Sequence, residues 1–233
     1  MIGSVVINNI DSSDYGVYIS EAGLYEAASR DTDNYKIPGR SGDLVVDKGT
    51  YSNIEITYQA FIHSEFGDRF PEWRNAISSI PGYARIEDSF HPDEFRKGKL
   101  SRFRILRATQ DTIGTFYMEF DCMPQRFLKS GEEPVEFTED GTIENEYRES
   151  LPLIRVYGSG ELGIGNQLIE IQENDFEYID IDCEIMDCYS GATNCNQYVS
   201  QMGQYPKLRT GITGITLGSG ITSVEITPRW WIL

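Results

Sequence analysis

Apolar and polar residues alternate with a period of two through much of this chain. Ile54, Ile56, Tyr58, Ala60 and Ile62 are separated by Glu55, Thr57, Gln59 and Phe61. Successive side chains of a strand point to opposite faces, so this alternation predicts a strand with one face in a core. The same reading applies to Phe116, Met118, Phe120 and Cys122 against Tyr117, Glu119 and Asp121, and to Phe103 and Ile105 against Arg102, Arg104 and Leu106. It applies again to Ile179, Ile181, Cys183 and Ile185 against Asp180, Asp182 and Glu184, and to Val224 and Ile226 against Ser223, Glu225 and Thr227. Gly, Asn and Asp clusters punctuate these runs, as turns between antiparallel strands do. One stretch departs from the pattern. Phe66, Phe70, Trp73, Ile77 and Ile80 recur at helical spacing, which predicts an amphipathic helix over about 66–80 lying on a sheet. Pro71 is expected in its first turn, where a missing N–H costs little, and Pro81-Gly82 is expected to stop it.

The polar KSGEEP segment, Lys129 to Pro134, interrupts the strand series and is the best candidate boundary. The chain therefore reads as mainly β, in two domains. Residues 1–130 form a β-rich domain with one helix, and residues 131–233 an all-β sandwich without any helical stripe. There is no internal repeat of fixed period.

Composition narrows the function. No segment of the 233 residues reaches the roughly 18 apolar residues of a membrane span, and MIGSVVINN lacks the basic and apolar regions of a secretory signal, so folding in a cytoplasm is expected. The formal net charge of −17 argues against stable nucleic-acid binding, which needs cations to displace phosphate counterions. An anionic surface lining a channel would instead repel a passing polyanion; plain solubility is the other reading. Cys122, Cys183, Cys188 and Cys195 do not have zinc-site spacing, and only His63 and His91 are at hand as partners. They read as free thiols in a reducing compartment, and neither metal nor cofactor is expected.

Catalytic patterns are missing as well. GxSxG does not occur, and YGSG (Tyr157 to Gly160) and GSG (Gly218 to Gly220) read as tight turns rather than phosphate cradles. The acidic pairs Asp180/Asp182 and Glu132/Glu133 would suit a glycosidase or a calcium site, but in a chain with 37 acids solvated faces account for them more simply. An enzyme is not expected. A carbohydrate-binding protein recognising a bacterial cell-wall polymer is the alternative, with Trp230 and Trp231 as stacking candidates. Being adjacent, they point to opposite faces of a strand, so at least one belongs to a core.

Four segments carry a resemblance. They are YKIPGRSGDLVVDKGTYSNIEITYQAFI (Tyr35 to Ile62), LPLIRVYGSGELGI (Leu151 to Ile164), DCEIMDCYSG (Asp182 to Gly191), and the terminal TPRWWIL closing GITGITLGSGITSVEI. Together, in this order, they resemble the distal tail proteins (Dit) of long-tailed phages of Gram-positive bacteria. The resemblance implies an N-terminal domain related to tail-tube folds that builds a hexameric ring, with a galectin-like β-sandwich outside it. It implies a virion component at the tail tip, a baseplate hub of a siphovirus. Such a ring joins the tail tube protein to the tail-tip protein, often organises receptor-binding proteins, and lets DNA through its lumen.

In that setting Ile37, Pro38, Gly39, Arg40, Gly42 and Asp43 form a candidate ring-interface loop. Pro38-Gly39 and Gly42-Asp43 make turns, and Arg40 either grips a carboxylate of a neighbouring loop or subunit or stabilises the turn locally. Pro228, Arg229, Trp230 and Trp231 form a candidate anchor of the C-terminal domain, with Pro228 at an edge or bulge. Two features depart from many relatives. Asn145-Glu146 stands where they carry Asn-Pro, which leaves that turn less constrained, and there is no room for an inserted carbohydrate-binding module.

Overall fold

A computed structural model describes residues 2–109, 112–201 and 203–233. The chain divides into two compact units, Met1–Arg126 with Leu233, and Phe127–Ile232.

The first unit runs β1 (Val5–Ile7), β2 (Ile10–Asp11), β3 (Tyr18–Ile19), β4 (Leu24–Tyr25), β5 (Arg30–Tyr35), β6 (Leu44–Tyr51), β7 (Ile54–Ile62), α1 (Phe66–Ser78), β8 (Ala84–Asp88), β9 (Glu94–Thr109) and β10 (Ile113–Cys122). Its main sheet is antiparallel in the order β2-β1-β8-β9-β10-β7-β3, with β4 also on β7. The period-two strands do what their patterns predict. Ile54, Ile56, Tyr58, Ala60 and Ile62 pair residue by residue with Cys122 to Gly114, and both inward rows are buried. On this surface lies α1, burying Phe66, Phe70, Trp73 and Ile77. Its rings interlock with the sheet: Phe70 meets Phe116 edge-on at 4.9 Å, and the Trp73 indole N–H points at the Met118 sulfur at 3.3 Å. Gly114 leaves room for the Phe66 ring; a Cβ there would come within 2.1 Å of it.

Two details differ from the sequence expectation. The helix begins at Phe66 and ends at Ser78, so Pro71 falls in its second turn, where it forfeits a backbone bond. Ile105 is not buried. It lies opposite Phe116, on the side that Phe103 takes opposite Met118, yet stands 52% exposed, just before the bulge that separates it from Arg107.

The second unit contains β11 (Arg126–Leu128), in which the boundary falls, then β12 (Val135–Phe137), β13 (Gly141–Asn145), β14 (Leu153–Gly158), β15 (Gly160–Ile164), β16 (Gln167–Ile171), β17 (Ile179–Asp182), β18 (Asp187–Ser190), β19 (Thr193–Asn194), β20 (Val199–Gln201), β21 (Gly211–Leu217), β22 (Ile221–Thr227) and β23 (Trp231–Ile232). Two antiparallel sheets, β12-β22-β14-β17-β18-β19 and β13-β21-β15-β16-β20, enclose one core of Ile, Leu, Val, Cys and Trp side chains. The YGSG and GSG turns are the corners where the chain passes from one sheet to the other. They touch: the Ser159 N–H donates to the Gly220 carbonyl, and a Cβ at Gly158 would sit 2.2 Å from that oxygen.

The alternation of Ile179, Ile181 and Cys183 inward stops one step early. Met186 turns the chain in the left-handed conformation, and Ile185 ends up 61% exposed. The Asn145-Glu146 turn is held more firmly than its missing proline suggests. Asn145 is buried, its amide donates to the carbonyls of Arg148 (3.0 Å) and Leu208 (2.8 Å), and its Oδ1 accepts from the Tyr147 N–H (2.8 Å).

Candidate assembly surface

Ile37 to Asp43 form the tip of a hairpin made of β5 and β6, which among the described residues pair only with each other. Gly39 and Gly42 take φ of 81° and 82°, with open space around both, and the Arg40 N–H donates to the Ile37 carbonyl at 3.2 Å. All six candidate loop residues are exposed. Among the described residues Arg40 has no ion pair within the chain, so the local-stabiliser reading rests on its backbone N–H alone.

The hairpin is held by its ladder and by exposed ion pairs, Arg30–Asp47 at 2.8 Å and Lys48 with Asp31 and Asp33 at 3.3 and 3.1 Å. Such pairs add little in water, and a two-stranded hairpin is marginal on its own. Yet it displays Tyr35, Leu44, Val45 and Val46, with Val45 58% exposed. β9 shows a similar character. Beyond Gly98, where β8 ends its pairing, residues Lys99 to Ala108 are mostly exposed and mix Arg102, Arg104 and Arg107 with Ile105 and Leu106. Arg102 and Arg104 share the buried carboxylate of Glu119.

The candidate anchor is assembled inside the second unit. Pro228 follows β22 and is buried; its carbonyl accepts from Ser150 Oγ at 2.7 Å. Arg229 sits at φ 56° and grips Asp182 with two parallel bonds, Nη1 to Oδ1 at 2.7 Å and Nη2 to Oδ2 at 2.8 Å. Trp230 is buried beside Tyr147 and against the backbone of Gly131, while the half-buried Trp231 donates its indole N–H to the Glu149 carbonyl at 2.9 Å. The KSGEEP segment takes part: the Arg229 N–H donates to the Gly131 carbonyl at 2.7 Å. Trp230, being buried, presents no stacking platform, whereas Trp231 keeps part of its ring exposed.

Asp180 and Asp182 are not solvated. Both are buried, and Asp180 accepts two bonds from Arg155 at 2.8 and 3.0 Å. Burial pushes the Asp182 carboxyl up, but the Arg229 guanidinium and the N–H groups of Glu184 and Ile185 outweigh it and hold the group below the usual carboxylate range. The alternation pattern does not reveal these ion pairs, because their partners are 25 and 47 residues apart in the chain.

Concavities with polar linings occur in both units. In the first unit the Tyr58 hydroxyl donates to Asp88 at 3.1 Å, and His91 Nδ1 lies 3.2 Å from the same carboxylate. The adjoining cavity is about 20 Å³, room for a water and no substrate. Burial raises the Tyr58 hydroxyl well above its ordinary value, reinforced by Asp88. The arrangement braces the end of β8. His63 lies elsewhere, 5.8 Å from the Tyr18 ring. In the second unit a groove of about 370 Å³ is lined by Asn166, Gln167, Gln204, Lys207 and Arg209, among others, with no aromatic ring. Its two cations are turned onto Glu149. Among the described residues no group of His, Cys, Asp and Glu is placed to hold a metal ion, and no helix is long and apolar enough to cross a membrane.

No family model and no curated protein sequence matches the chain. Among solved structures, the Dit protein of SPP1, described as a paradigm of the hub adsorption apparatus in phages infecting Gram-positive bacteria, matches with a TM-score of 0.75 at 14% identity, over 99% of either chain. The protein described here thus has the mainly β, Dit-like fold along essentially its whole length.

Proposed function

We propose that this chain is a non-catalytic hub of a phage tail tip, a distal tail protein whose first unit closes a hexameric ring around a channel. The ring joins the tail tube to the tail-tip protein and to receptor-binding proteins, and DNA passes through it without stable binding. The protein is made in the host cytoplasm and ends in the virion. The observation that carries this reading is the β5–β6 hairpin, whose β6 is exposed on both faces and which displays Tyr35, Val45 and Val46, on a chain whose fold matches a phage hub protein end to end. Exposed apolar strands of this kind are a liability unless a neighbour covers them. A closed ring needs a patch on one copy that fits a different patch on the next, and a projecting hairpin supplies one half of such a contact. The acidic excess, multiplied around a ring, suits a bore through which a polyanion slides.

Native mass spectrometry of the purified chain over a concentration series tests this. The reading requires a six-copy species that grows with concentration. Dimers alone at every concentration would contradict it. The carbohydrate-binding alternative is left with Trp231 of its two stacking candidates, since Trp230 is buried.

A further inference from the structure

We infer that Cys188 and Cys195 are a disulfide-forming pair, a modification site at which small disulfides oxidise the β18–β19 hairpin. The pairing register puts Tyr189 opposite Asn194 and Ser190 opposite Thr193, and one rung further along it sets Cys188 opposite Cys195. That rung is closed by the Cys195 N–H donating to the Cys188 carbonyl at 2.7 Å. It is clamped by Asp187, whose Oδ1 accepts from the amides of Asn194 at 3.0 Å and Asn196 at 2.6 Å. Directly opposed side chains of a hydrogen-bonded rung leave the same face with Cβ atoms about 5.5 Å apart, roughly 1 Å beyond the range of a disulfide, so the bridge closes when that rung's hydrogen bond gives way. Both thiols are buried in one core, so they share a face in fact as well as in register.

The third thiol nearby is excluded by the same geometry. Ile181 is the residue opposite Cys188, which leaves Cys183 diagonal to it, about 7–8 Å away by the ordinary spacing of such neighbours. The position of the hairpin in the sheet supplies access. β19 is the outermost strand, and it carries only two residues, so the pair opens by fraying an edge rather than by unfolding the sandwich. While closed, the site is slow: burial pushes the Cys188 thiol up to about 11 and raises that of Cys195 too. Once open, one thiolate attacks the small disulfide and expels one small thiol, leaving a mixed disulfide. The second protein thiolate then attacks the protein sulfur of that mixed disulfide and expels the other small thiol. Two protein thiols are oxidised and one small disulfide is reduced to two thiols, so atoms and electrons balance.

The test uses the full chain incubated with oxidised glutathione, then denatured, alkylated and mapped by peptide mass. Of the four cysteines, two should lose their alkylation and appear as a linked Cys188–Cys195 peptide pair, reversed by dithiothreitol. The rate should rise in urea too dilute to unfold the protein. Cys183→Ser should keep the bridge, and Cys195→Ser should abolish it. A bridge through Cys183, a stable glutathione adduct in place of a bridge, or four alkylated thiols at every urea concentration that preserves the fold would overturn the inference.

Discussion

Arg229 and Trp230 hold the end of the chain by different physics, and the difference is measurable. Trp230 contributes through burial, so Trp230→Ala should cost about 3–5 kcal/mol in a denaturant titration of the second unit. Trp231→Ala, which loses one hydrogen bond and part of a half-exposed ring, should cost only about 1 kcal/mol. Arg229 acts through charge. Because the Asp182 carboxyl is held below its unfolded value, its stabilisation is complete above about pH 4 and is lost as pH falls through the folded value. Asp182→Asn should therefore be less stable than the parent at neutral pH, with the gap closing in acid; a gap unchanged by pH would show the pair to be idle. The burial of one tryptophan was legible from the sequence, since adjacent strand residues face opposite ways. The partnership of Asp182 with Arg229 was not, because only the folded register brings them together.

At the scale of elements, legibility followed repetition. The long alternating rows of β7 and β10 and the helical stripe of α1 each contain several residues that agree, and each was read correctly. The expectation fails at ends and irregularities: Ile105 beside a bulge, Ile185 inside a turn, Pro71 one turn too deep. A bulge or a left-handed residue ends an alternating row, and nothing in the alternation announces it. The β5–β6 hairpin was visible chiefly through its Pro-Gly and Gly-Asp turns. Its isolation leads to a prediction. Replacing both Leu44 and Val45 by Asp should leave the thermal stability of an isolated subunit within about 0.5 kcal/mol of the parent, since both are already in water, yet should prevent association. A melting transition shifted well below the parent's would show that the hairpin is part of the subunit's own core.

For the whole molecule, the sequence carried the fold in a degenerate form. Many combinations of Ile, Val, Phe and Leu fill the same inward rows, which is how 14% identity coexists with one architecture over 99% of the chain. Strand pairing across the second unit, and the crossing between its sheets at two touching glycine corners, depend on contacts distant in sequence and became apparent only in three dimensions. Under the proposed function, copies of this chain meet through the exposed hairpin and close on themselves. Negative-stain electron microscopy of the purified protein at high concentration addresses it directly. Closed particles with six-fold symmetry and an open centre, absent when Leu44 and Val45 are both Asp, are the predicted result. Open filaments, two-fold particles, or rings unaffected by the double substitution would contradict it.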